Sequence, residues 1–388
     1  MKKIYFDYAA TTPVDKQVLK IMLPYFDKIF ANTSSIHSFG VKADQALEAS
    51  RKKIADLLRV EARDIIFTGS ATESNNLAIK GFAFANKNKG NHILVSSVEH
   101  DCVLGSARWL KTQGFEVDFI PVEKDGTVKV DFIKKSIRKE TILVSVIHAN
   151  NEIGTINPIK EIGEICKQNK VIFHTDAVQS FGKISIDIKQ NNIDMLTASS
   201  HKMYGPKGAA LLYVKKGINL TPILHGGGHE RGLRSSTVNV AAIVGFAKAC
   251  ELSFRQMNTE AKRLIKLRDK LIQGILATIP DSHLNGNPNK RLPNNINVRF
   301  DGIEGEGLVM LLDEKGIACS TGSACSSASL SPSHVLLACG IDAGHAHGSL
   351  RISLGRWTQE EDIRYMLEVL PSVVKRLRKI SPFYKKGN

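Results

Sequence analysis

Residues 195–208 read Met195-Leu196-Thr197-Ala198-Ser199-Ser200-His201-Lys202-Met203-Tyr204-Gly205-Pro206-Lys207-Gly208. The apolar run at the start predicts a short strand, and the glycine and proline that follow predict a turn. Lys202 lies between the two, so its amine would be fixed at the carboxyl end of a strand. A desolvated lysine in such a place can form a Schiff base. Lys207 competes for this role, but it lies beyond Pro206 inside the turn. Because most lysines are solvated surface residues, Lys202 needs support from other motifs.

Strand and helix patterns alternate on both sides of this segment. Apolar residues recur at helical spacing over 42–58 and 73–85. Short apolar or β-branched runs predict strands at 65–67, 92–96, 117–120, 142–147, 171–175, 195–199 and 209–214. Such alternation predicts an α/β fold with a mainly parallel sheet that helices cover on both faces. Ligands bind beyond the carboxyl ends of the strands in sheets of this kind.

The length of 388 residues predicts two lobes rather than one hydrophobic core. A helical pattern runs from Val238 to about Ile279, with a polar break near 257–259, and Pro280 is a natural stop. Strand patterns at 295–300 and 316–319 follow, and a capping box at 358–361 opens a C-terminal helix. The expected division is a large domain over 14–257 and a smaller α+β domain built from 1–13 and 258–388.

The composition is that of an ordinary globular protein, with 43% hydrophobic and 23% charged residues. No apolar run is long enough to cross a bilayer, and Asp7 interrupts the N-terminal apolar stretch, which argues against a signal peptide. We therefore expect a cytoplasmic protein with no membrane partner. The six cysteines include no Cys-x-x-Cys pair, which favours free thiols. The excess of 15 basic residues could attract an acidic protein or RNA, but scattered lysines equally fit a solvated surface, and we expect no direct nucleic-acid binding.

A candidate phosphate cradle lies at Phe67-Thr68-Gly69-Ser70-Ala71-Thr72-Glu73-Ser74-Asn75-Asn76. A strand ends there, small residues turn the chain, and a helix begins. Free backbone N–H groups and a hydroxyl would then point at one place, together with the positive end of the helix dipole. An ordinary turn with a threonine near the helix start is the alternative.

A candidate acidic partner for a cofactor lies at Phe173-His174-Thr175-Asp176-Ala177-Val178-Gln179-Ser180. Asp176 comes where an apolar strand gives way to a turn, and a charge there is costly unless it is paired. A pyridoxal cofactor needs an acidic group that keeps its ring nitrogen protonated. A plain helix-capping aspartate is the alternative.

A glycine-rich loop follows at His225-Gly226-Gly227-Gly228-His229-Glu230-Arg231-Gly232-Leu233-Arg234-Ser235-Ser236-Thr237. Its first four residues are similar to the oxyanion segment of lipases, but the chain has no Gly-x-Ser-x-Gly elbow, which argues against a hydrolase. His225 and His229 belong to no His-Glu-x-x-His metal pattern. A flexible loop followed by arginines and hydroxyls suits anion binding, and a plain surface loop is the alternative.

A candidate reactive thiol lies in the run of small residues Ala318-Cys319-Ser320-Thr321-Gly322-Ser323-Ala324-Cys325-Ser326-Ser327-Ala328. Cys319 belongs to the apolar strand that precedes the run, which suits an inert buried thiol. Cys325 belongs to the loop, where a cysteine could move between two sites, and this suits a reactive thiol.

Together these motifs resemble the cysteine desulfurases of the NifS/IscS type, within the class V aminotransferase family. The resemblance runs from Asp7-Tyr8-Ala9-Ala10-Thr11-Thr12-Pro13 to Ser349-Leu350-Arg351-Ile352-Ser353-Leu354-Gly355-Arg356. It implies the aspartate-aminotransferase-like fold, fold type I, of enzymes that depend on pyridoxal 5'-phosphate. Among the departures from the family pattern, Ser236 stands where glycine is frequent.

The resemblance also implies a role for individual residues. Lys202 would bind the cofactor covalently, Asp176 would pair with its ring nitrogen, and Gln179 would contact its phenolic oxygen. Phosphate binding is implied for Ala71, Thr72, Ser199 and His201, and cofactor binding for Ser200. Thr237 would bind the phosphate in the neighbouring subunit of a homodimer. The remaining implied roles are stacking and proton transfer by His100, binding of cofactor and substrate by Asn151, and binding of the substrate carboxylate by Arg351.

The implied reaction removes sulfur from L-cysteine. Cys325, with His100 as the candidate base, would attack the substrate sulfur and carry it as a persulfide while alanine departs. The acceptor would be an iron–sulfur cluster scaffold or a thiolation pathway. No resident metal is expected, although Cys325 could transiently share a cluster with the scaffold. A selenocysteine lyase and a class V aminotransferase are the alternatives within the fold. A catalytically silent assembly protein is the alternative outside enzymes.

Overall fold

The computed structural model describes residues 3–322, 332–382 and 384. Its strands are β1 (Ile4–Tyr5), β2 (Ile65–Thr68), β3 (His92–Ser96), β4 (Glu116–Ile120), β5 (Thr141–Ser145), β6 (Ile172–Asp176), β7 (Met195–Ser199), β8 (Ala210–Val214), β9 (Ser282–Leu284), β10 (Asn295–Phe300), β11 (Ile317–Ala318) and β12 (Ser349–Ser353). Its α-helices are α1 (Lys16–Met22), α2 (Pro24–Asp27), α3 (Ser38–Leu58), α4 (Ala71–Asn76), α5 (Phe82–Ala85), α6 (Asp101–Thr112), α7 (Val130–Ser136), α8 (Ile159–Gln168), α9 (Val240–Thr278), α10 (Gly305–Glu314), α11 (His334–Ala338), α12 (Ala343–Ala346) and α13 (Glu360–Ile380).

The central sheet has seven strands in the order β2-β8-β7-β6-β5-β3-β4. The strands from β7 to β4 run parallel, whereas β8 runs antiparallel to both of its neighbours. The predicted α/β fold with a mainly parallel sheet is therefore confirmed. Because β3, β5, β6 and β7 run in one direction, the residues that follow them meet at one edge of the sheet.

Helices cover the central sheet on both faces, and alternate residues of each strand pack on opposite sides. Leu94, Val144 and Leu196 belong to one apolar core, whereas their neighbours Ile93, Leu143 and Met195 belong to another. Strands buried on both faces are continuous apolar runs, which explains why the sequence pattern located them well.

A second, smaller region contains an antiparallel sheet in the order β12-β10-β9 and a parallel pair formed by β1 and β11. It has its own core, in which Phe6 packs with residues of α9, α10 and α13. The N-terminal strand thus packs with the last third of the chain. The division into 14–257 and 1–13 plus 258–388 stays a prediction.

Two details of the predicted elements are wrong. Helix α9 is one continuous helix of 39 residues, because the polar residues Asn258 and Thr259 lie on its exposed side and do not interrupt it. The capping box is shifted by one residue, so that Gln359 and Asp362 cap α13 reciprocally. The hydroxyl of Thr358 instead accepts a bond from the backbone N–H of Gly355. No helix in the described part of the chain is long and apolar enough to span a membrane.

Candidate active site

A cavity of about 410 Å³ opens at the carboxyl edge of the central sheet. Its size is within the usual range for a small-molecule site. It is lined by Ala9, Ala10, Ser70, Ala71, Thr72, His100, Cys102, Ile147, Asn151, Asp176, Val178, Gln179, His201, Lys202 and Arg351. The structure therefore brings most of the predicted site residues to one place.

Lys202 ends a short 3₁₀ turn, Ser200–Lys202, that follows β7 directly. Its Nζ donates to the backbone carbonyl oxygens of Ala9 and Ala10, each at 2.7 Å. The amine is thus held at the mouth of the sheet by the N-terminal segment. Both acceptors are neutral carbonyls, so these two bonds bring no negative charge to the amine.

Asp176 is the last residue of β6, and only 3% of its surface is exposed. Its Oδ2 accepts from Asn75 Nδ2 at 2.7 Å, and its Oδ1 accepts from the backbone N–H of Val178 at 2.9 Å. Burial raises the pKa of Asp176, and the Val178 N–H opposes this rise. A buried carboxylate that lines a cavity suits a cationic ligand atom, because such a partner offsets the cost of burying the charge.

His100 caps the N-terminus of α6. Its Nδ1 accepts from the backbone N–H of Cys102 at 3.2 Å. In the neutral ring the proton therefore resides on Nε2, which fixes the tautomer. The Cys102 Sγ also lies 3.1 Å from Nδ1, so a free thiol stands beside this histidine in the cavity.

His201 lines the same cavity, and its Nδ1 lies 3.1 Å from Thr11 Oγ1. Burial and, to a smaller extent, the positive charge of Lys202 lower the pKa of His201 to about 4. The imidazole is therefore neutral at pH 7 and can donate one hydrogen bond without adding a charge.

The segment predicted as a phosphate cradle leads into the start of α4, which continues through a π-helical turn, Leu77–Gly81, into α5. The Ser70 hydroxyl caps the helix by accepting from Glu73 N–H at 3.1 Å. Glu73 in turn accepts from Gly69 N–H and from the Arg234 guanidinium. The N–H groups of Ala71 and Thr72 belong to the first turn of the helix, which has no partners for them within the helix.

Arg351 lies on β12, with 3% of its surface exposed. Its Nη2 donates to Asp7 Oδ1 at 2.9 Å, and its Nη1 donates to the Asn151 carbonyl at 3.3 Å. Its Nε is buried and has no hydrogen-bond partner among the described residues. An arginine with a donor left over at a cavity wall is suited to bind a carboxylate.

Some predicted residues lie elsewhere. Ser199 and Ser200 are buried but do not line the cavity, and the Ser200 hydroxyl has no hydrogen-bond partner within the described part of the chain. Thr237 lines a separate space of about 50 Å³ with Gly69 and Arg234. Cys325 lies within 323–331, outside the residues that the structure describes.

The sequence interpretation missed other residues of the site. Asn75 holds Asp176 and lies one helical turn beyond Ala71, so its spacing could have placed it on the same helix face. Cys102 was treated only as one of several free thiols, although it comes two residues after His100. The carbonyl groups of Ala9 and Ala10 carry no side-chain signal that could have identified them.

The cavity fits the cofactor that the sequence resemblance implies. Pyridoxal phosphate requires an acidic partner for its ring nitrogen, a lysine amine for its aldehyde and an anion site for its phosphate. Asp176, Lys202 and the first turn of α4 supply these three groups around one cavity.

Comparison with protein families gives one match over most of the chain. The family model described as Aminotransferase class-V matches residues 4–366. The chain is 54% identical to cysteine desulfurase IscS 1 of Archaeoglobus fulgidus over 382 residues, which are 98% of this chain and 100% of that protein. It is 53% identical to cysteine desulfurase IscS of Methanosarcina thermophila over 385 residues, covering 99% of this chain and 95% of the relative.

Solved structures give a consistent result. A NifS-like protein superimposes with a TM-score of 0.91 at 38% identity, covering 97% of this chain and 100% of its own. A structure described as SspA in complex with cysteine superimposes with a TM-score of 0.79 at 39% identity, covering 91% of this chain and 99% of its own.

Proposed function

The chain belongs to the class V aminotransferase family and is a pyridoxal-phosphate-dependent cysteine desulfurase, and from this premise we propose that Lys202 binds the cofactor and Cys325 receives the sulfur. The assignment of Lys202 rests on its position at the cavity wall, where Asp176 also lies. Lys202 reaches this position because it ends the turn that follows β7. Lys207, the competing lysine, is exposed and does not line this cavity.

Different residues would bind different parts of the cofactor. Lys202 would bind it covalently, Asp176 would keep its ring nitrogen protonated, and the first turn of α4 would bind its phosphate. When bound, the cofactor supplies an electron sink for bonds at the carbon atoms of an attached amino acid. Gln179 would face the ring oxygen, and His100 would stack on the ring and hold a proton at Nε2. Arg351 would bind the substrate carboxylate, and Asn151 would help to hold cofactor and substrate.

Sulfur transfer to Cys325 is the step we propose for this chain. The Cys325 thiolate attacks the sulfur atom of L-cysteine, so that a new S–S bond forms and the carbon–sulfur bond of the substrate breaks. The carbon fragment keeps the electron pair, takes up a proton and leaves as L-alanine. Cys325 then carries a persulfide, which an acceptor thiol can remove. We propose an iron–sulfur cluster scaffold or a thiolation protein as that acceptor.

Peptide mapping after borohydride reduction tests the assignment of Lys202. We expect the cofactor on the peptide that contains Lys202, and the Lys207→Ala variant should be labelled like the wild type. A label on any other lysine would contradict the assignment.

Substitution of two cysteines tests the persulfide site. Cys325→Ala should keep the visible absorbance of the cofactor but form no alanine from L-cysteine, whereas Cys319→Ala should stay active because Cys319 is a buried strand-end thiol. Burial raises the pKa of Cys319 to about 12, which keeps it protonated and unreactive. Alanine formation at the wild-type rate by Cys325→Ala would remove its assigned role. Assays with selenocysteine and with a keto acid test the two alternatives. A selenocysteine lyase would act on selenocysteine and not on cysteine, and an aminotransferase would transfer an amino group to the keto acid.

We also propose that the enzyme is a homodimer in which Thr237 reaches the phosphate site of the neighbouring subunit. Large apolar side chains are exposed near the N-terminus, including Leu23 (56%), Phe26 (63%), Phe30 (66%) and Ile36 (99%). An exposed apolar surface of this kind is typical of a protein–protein interface. Thr237 lines a different space from Lys202 within its own chain, which agrees with a role in the other subunit.

Mixed dimers test the role of Thr237. The Lys202→Ala and Thr237→Val chains are combined, so that the one site with a lysine receives its threonine from the other chain. We expect that site to bind the cofactor as tightly as the wild type, and more tightly than Thr237→Val dimers. Equal affinity in mixed and Thr237→Val dimers would contradict an action across the interface. The cytoplasmic location expected from the N-terminal sequence stays a prediction.

A further inference from the structure

Lys183 lies just outside the cofactor cavity, and the proposed mechanism gives it no role. It follows β6 in the turn that also contains Gln179. Its Nζ donates to the Gln179 backbone carbonyl at 3.0 Å and to Gln179 Oε1 at 3.4 Å. It also lines a small space of about 30 Å³ together with Glu260 and Arg356. The amine therefore contacts Gln179, which in turn lines the cavity.

The side-chain amide of Gln179 is held at both ends. Its Nε2 donates to the Ala9 carbonyl at 2.9 Å, the same oxygen that accepts from Lys202 at 2.7 Å. A carbonyl oxygen can only accept and an ammonium group can only donate. Both neighbours therefore require the same orientation, with Oε1 towards Lys183 and Nε2 towards Ala9. Only 5% of the Gln179 surface is exposed, so solvent offers little alternative to these partners.

We infer that Lys183 is a positioning residue, which fixes the Gln179 amide so that a nitrogen, and not an oxygen, faces the cofactor cavity. The inference rests on the proposed function, in which Gln179 contacts the phenolic oxygen of the cofactor. That oxygen is an acceptor, so it needs a donor from the protein. One N–H of Nε2 goes to Ala9, and the second is left for this acceptor. A reversed amide would bring two acceptor oxygens together.

The protonation of Lys183 does not remove this role. Burial and, to a smaller extent, the positive charge of Lys202 lower the pKa of Lys183 to about 7, while the negative charge of Glu260 opposes the shift. Arg356 and Tyr204 are the other ionisable side chains that line the space around it. A neutral amine keeps two N–H donors, one for each Gln179 oxygen, and the Ala9 carbonyl, which can only accept, still requires Nε2 on its side.

Three variants test the inference through the cofactor itself rather than through turnover. Lys183→Met keeps the length and apolar stem of the side chain but removes its donors, Lys183→Arg keeps donors, and Lys189→Met alters an exposed lysine of the same region. The measurements are the visible spectrum of the bound cofactor, its titration with pH and its dissociation rate. In Lys183→Met we expect a shifted band and dissociation about tenfold faster, the effect of one lost hydrogen bond. Lys183→Arg should be closer to the wild type, and Lys189→Met should match it.

A double-mutant cycle separates positioning from a general structural effect. In a Gln179→Ala background, Lys183→Met should not change the spectrum, the titration or the dissociation rate further, because its target is gone. Fully additive effects would overturn the inference, as would a wild-type spectrum in Lys183→Met. If Lys183→Met does not fold, Lys183→Leu, which also removes the donors, replaces it in the same cycle. Absence of a visible band in the wild-type protein would instead overturn the proposed function.

Discussion

Arg51 and Arg351 are both 3% exposed and both lie beside a carboxylate, yet their guanidinium groups are used differently. Arg51 donates to Glu48 from Nε, to Glu230 from both terminal nitrogens, and to the Ile65 carbonyl. Glu230 also accepts from the backbone N–H of Phe67. The hydrogen-bonding groups of this buried pair therefore have their partners within the folded chain. Its contacts join α3, β2 and the glycine-rich loop.

Arg351 donates once to Asp7 and once, at 3.3 Å, to a carbonyl, and its Nε has no partner among the described residues. An unused buried donor is destabilising unless a ligand satisfies it. The comparison therefore separates two kinds of buried arginine. Arg51 has its donors occupied by the fold, whereas Arg351 keeps a donor for a ligand.

The largest effect should come from Arg351→Met. We expect kcat/KM for L-cysteine to fall about 10²- to 10⁴-fold, because the charge-assisted contact with the substrate carboxylate is lost. Steady-state kinetics measures this loss, and spectral titration with cysteamine, which lacks the carboxylate, is the control. If affinity for cysteamine falls as much as that for cysteine, Arg351 does not bind the carboxylate.

Arg51→Met should act on stability instead. Its removal leaves Glu230 buried without its cation, which costs about 3 to 5 kcal/mol of unfolding free energy. Denaturant unfolding measures this loss, and Lys52→Met is the matched control, because its pair with Asp56 is exposed and contributes little. The double variant Arg51→Met/Glu230→Met should recover part of the stability. A loss confined to catalysis would contradict the comparison.

The same contrast explains what the sequence could predict. Lys202 and Asp176 come at the ends of apolar strands, and strand ends of a parallel sheet meet, so local patterns were enough to place them together. Arg351 was identified through the family resemblance alone. Local sequence does not identify the Arg51–Glu230 pair, because the two residues lie 179 positions apart and only the folded chain brings them together.

Other features depend on contacts that local patterns do not contain. The role of Lys183 depends on an amide orientation that two neighbours impose from different parts of the chain. The continuity of α9 depends on which side of the helix faces the core, and composition near 257–259 suggested a break. The proposed action of Thr237 depends on a second copy of the chain.

Glu152 is a second carboxyl group, besides Asp7, that interacts electrostatically with Arg351. It is 3% exposed, and burial raises its pKa to about 7, with Arg351 opposing the rise. Because this pKa lies above the unfolded value, its contribution to stability is complete below about pH 4.5 and is lost as the pH rises through about 7. Between about pH 5 and 8, the wild type should therefore lose about 1 to 3 kcal/mol relative to Glu152→Gln.

Denaturant unfolding at several pH values checks this difference for Glu152. The exposed Glu314→Gln variant serves as the control, and its stability should follow the wild type at every pH. A constant difference between the wild type and Glu152→Gln over this range would show that Glu152 does not titrate there.

The smallest effect should come from Ser236→Gly, in the loop that Arg51 anchors through Glu230. Ser236 has a φ of 155°, which side chains rarely adopt, and Glu230 itself has a φ of 50°. Glycine should relieve this strain but increase the freedom of the unfolded chain, for a net gain of about 1 kcal/mol or less. In an Arg51→Met background the gain should shrink, because the loop is no longer held in the strained conformation. An equal gain in both backgrounds, measured by denaturant unfolding, would mean that the Arg51–Glu230 pair does not hold this backbone.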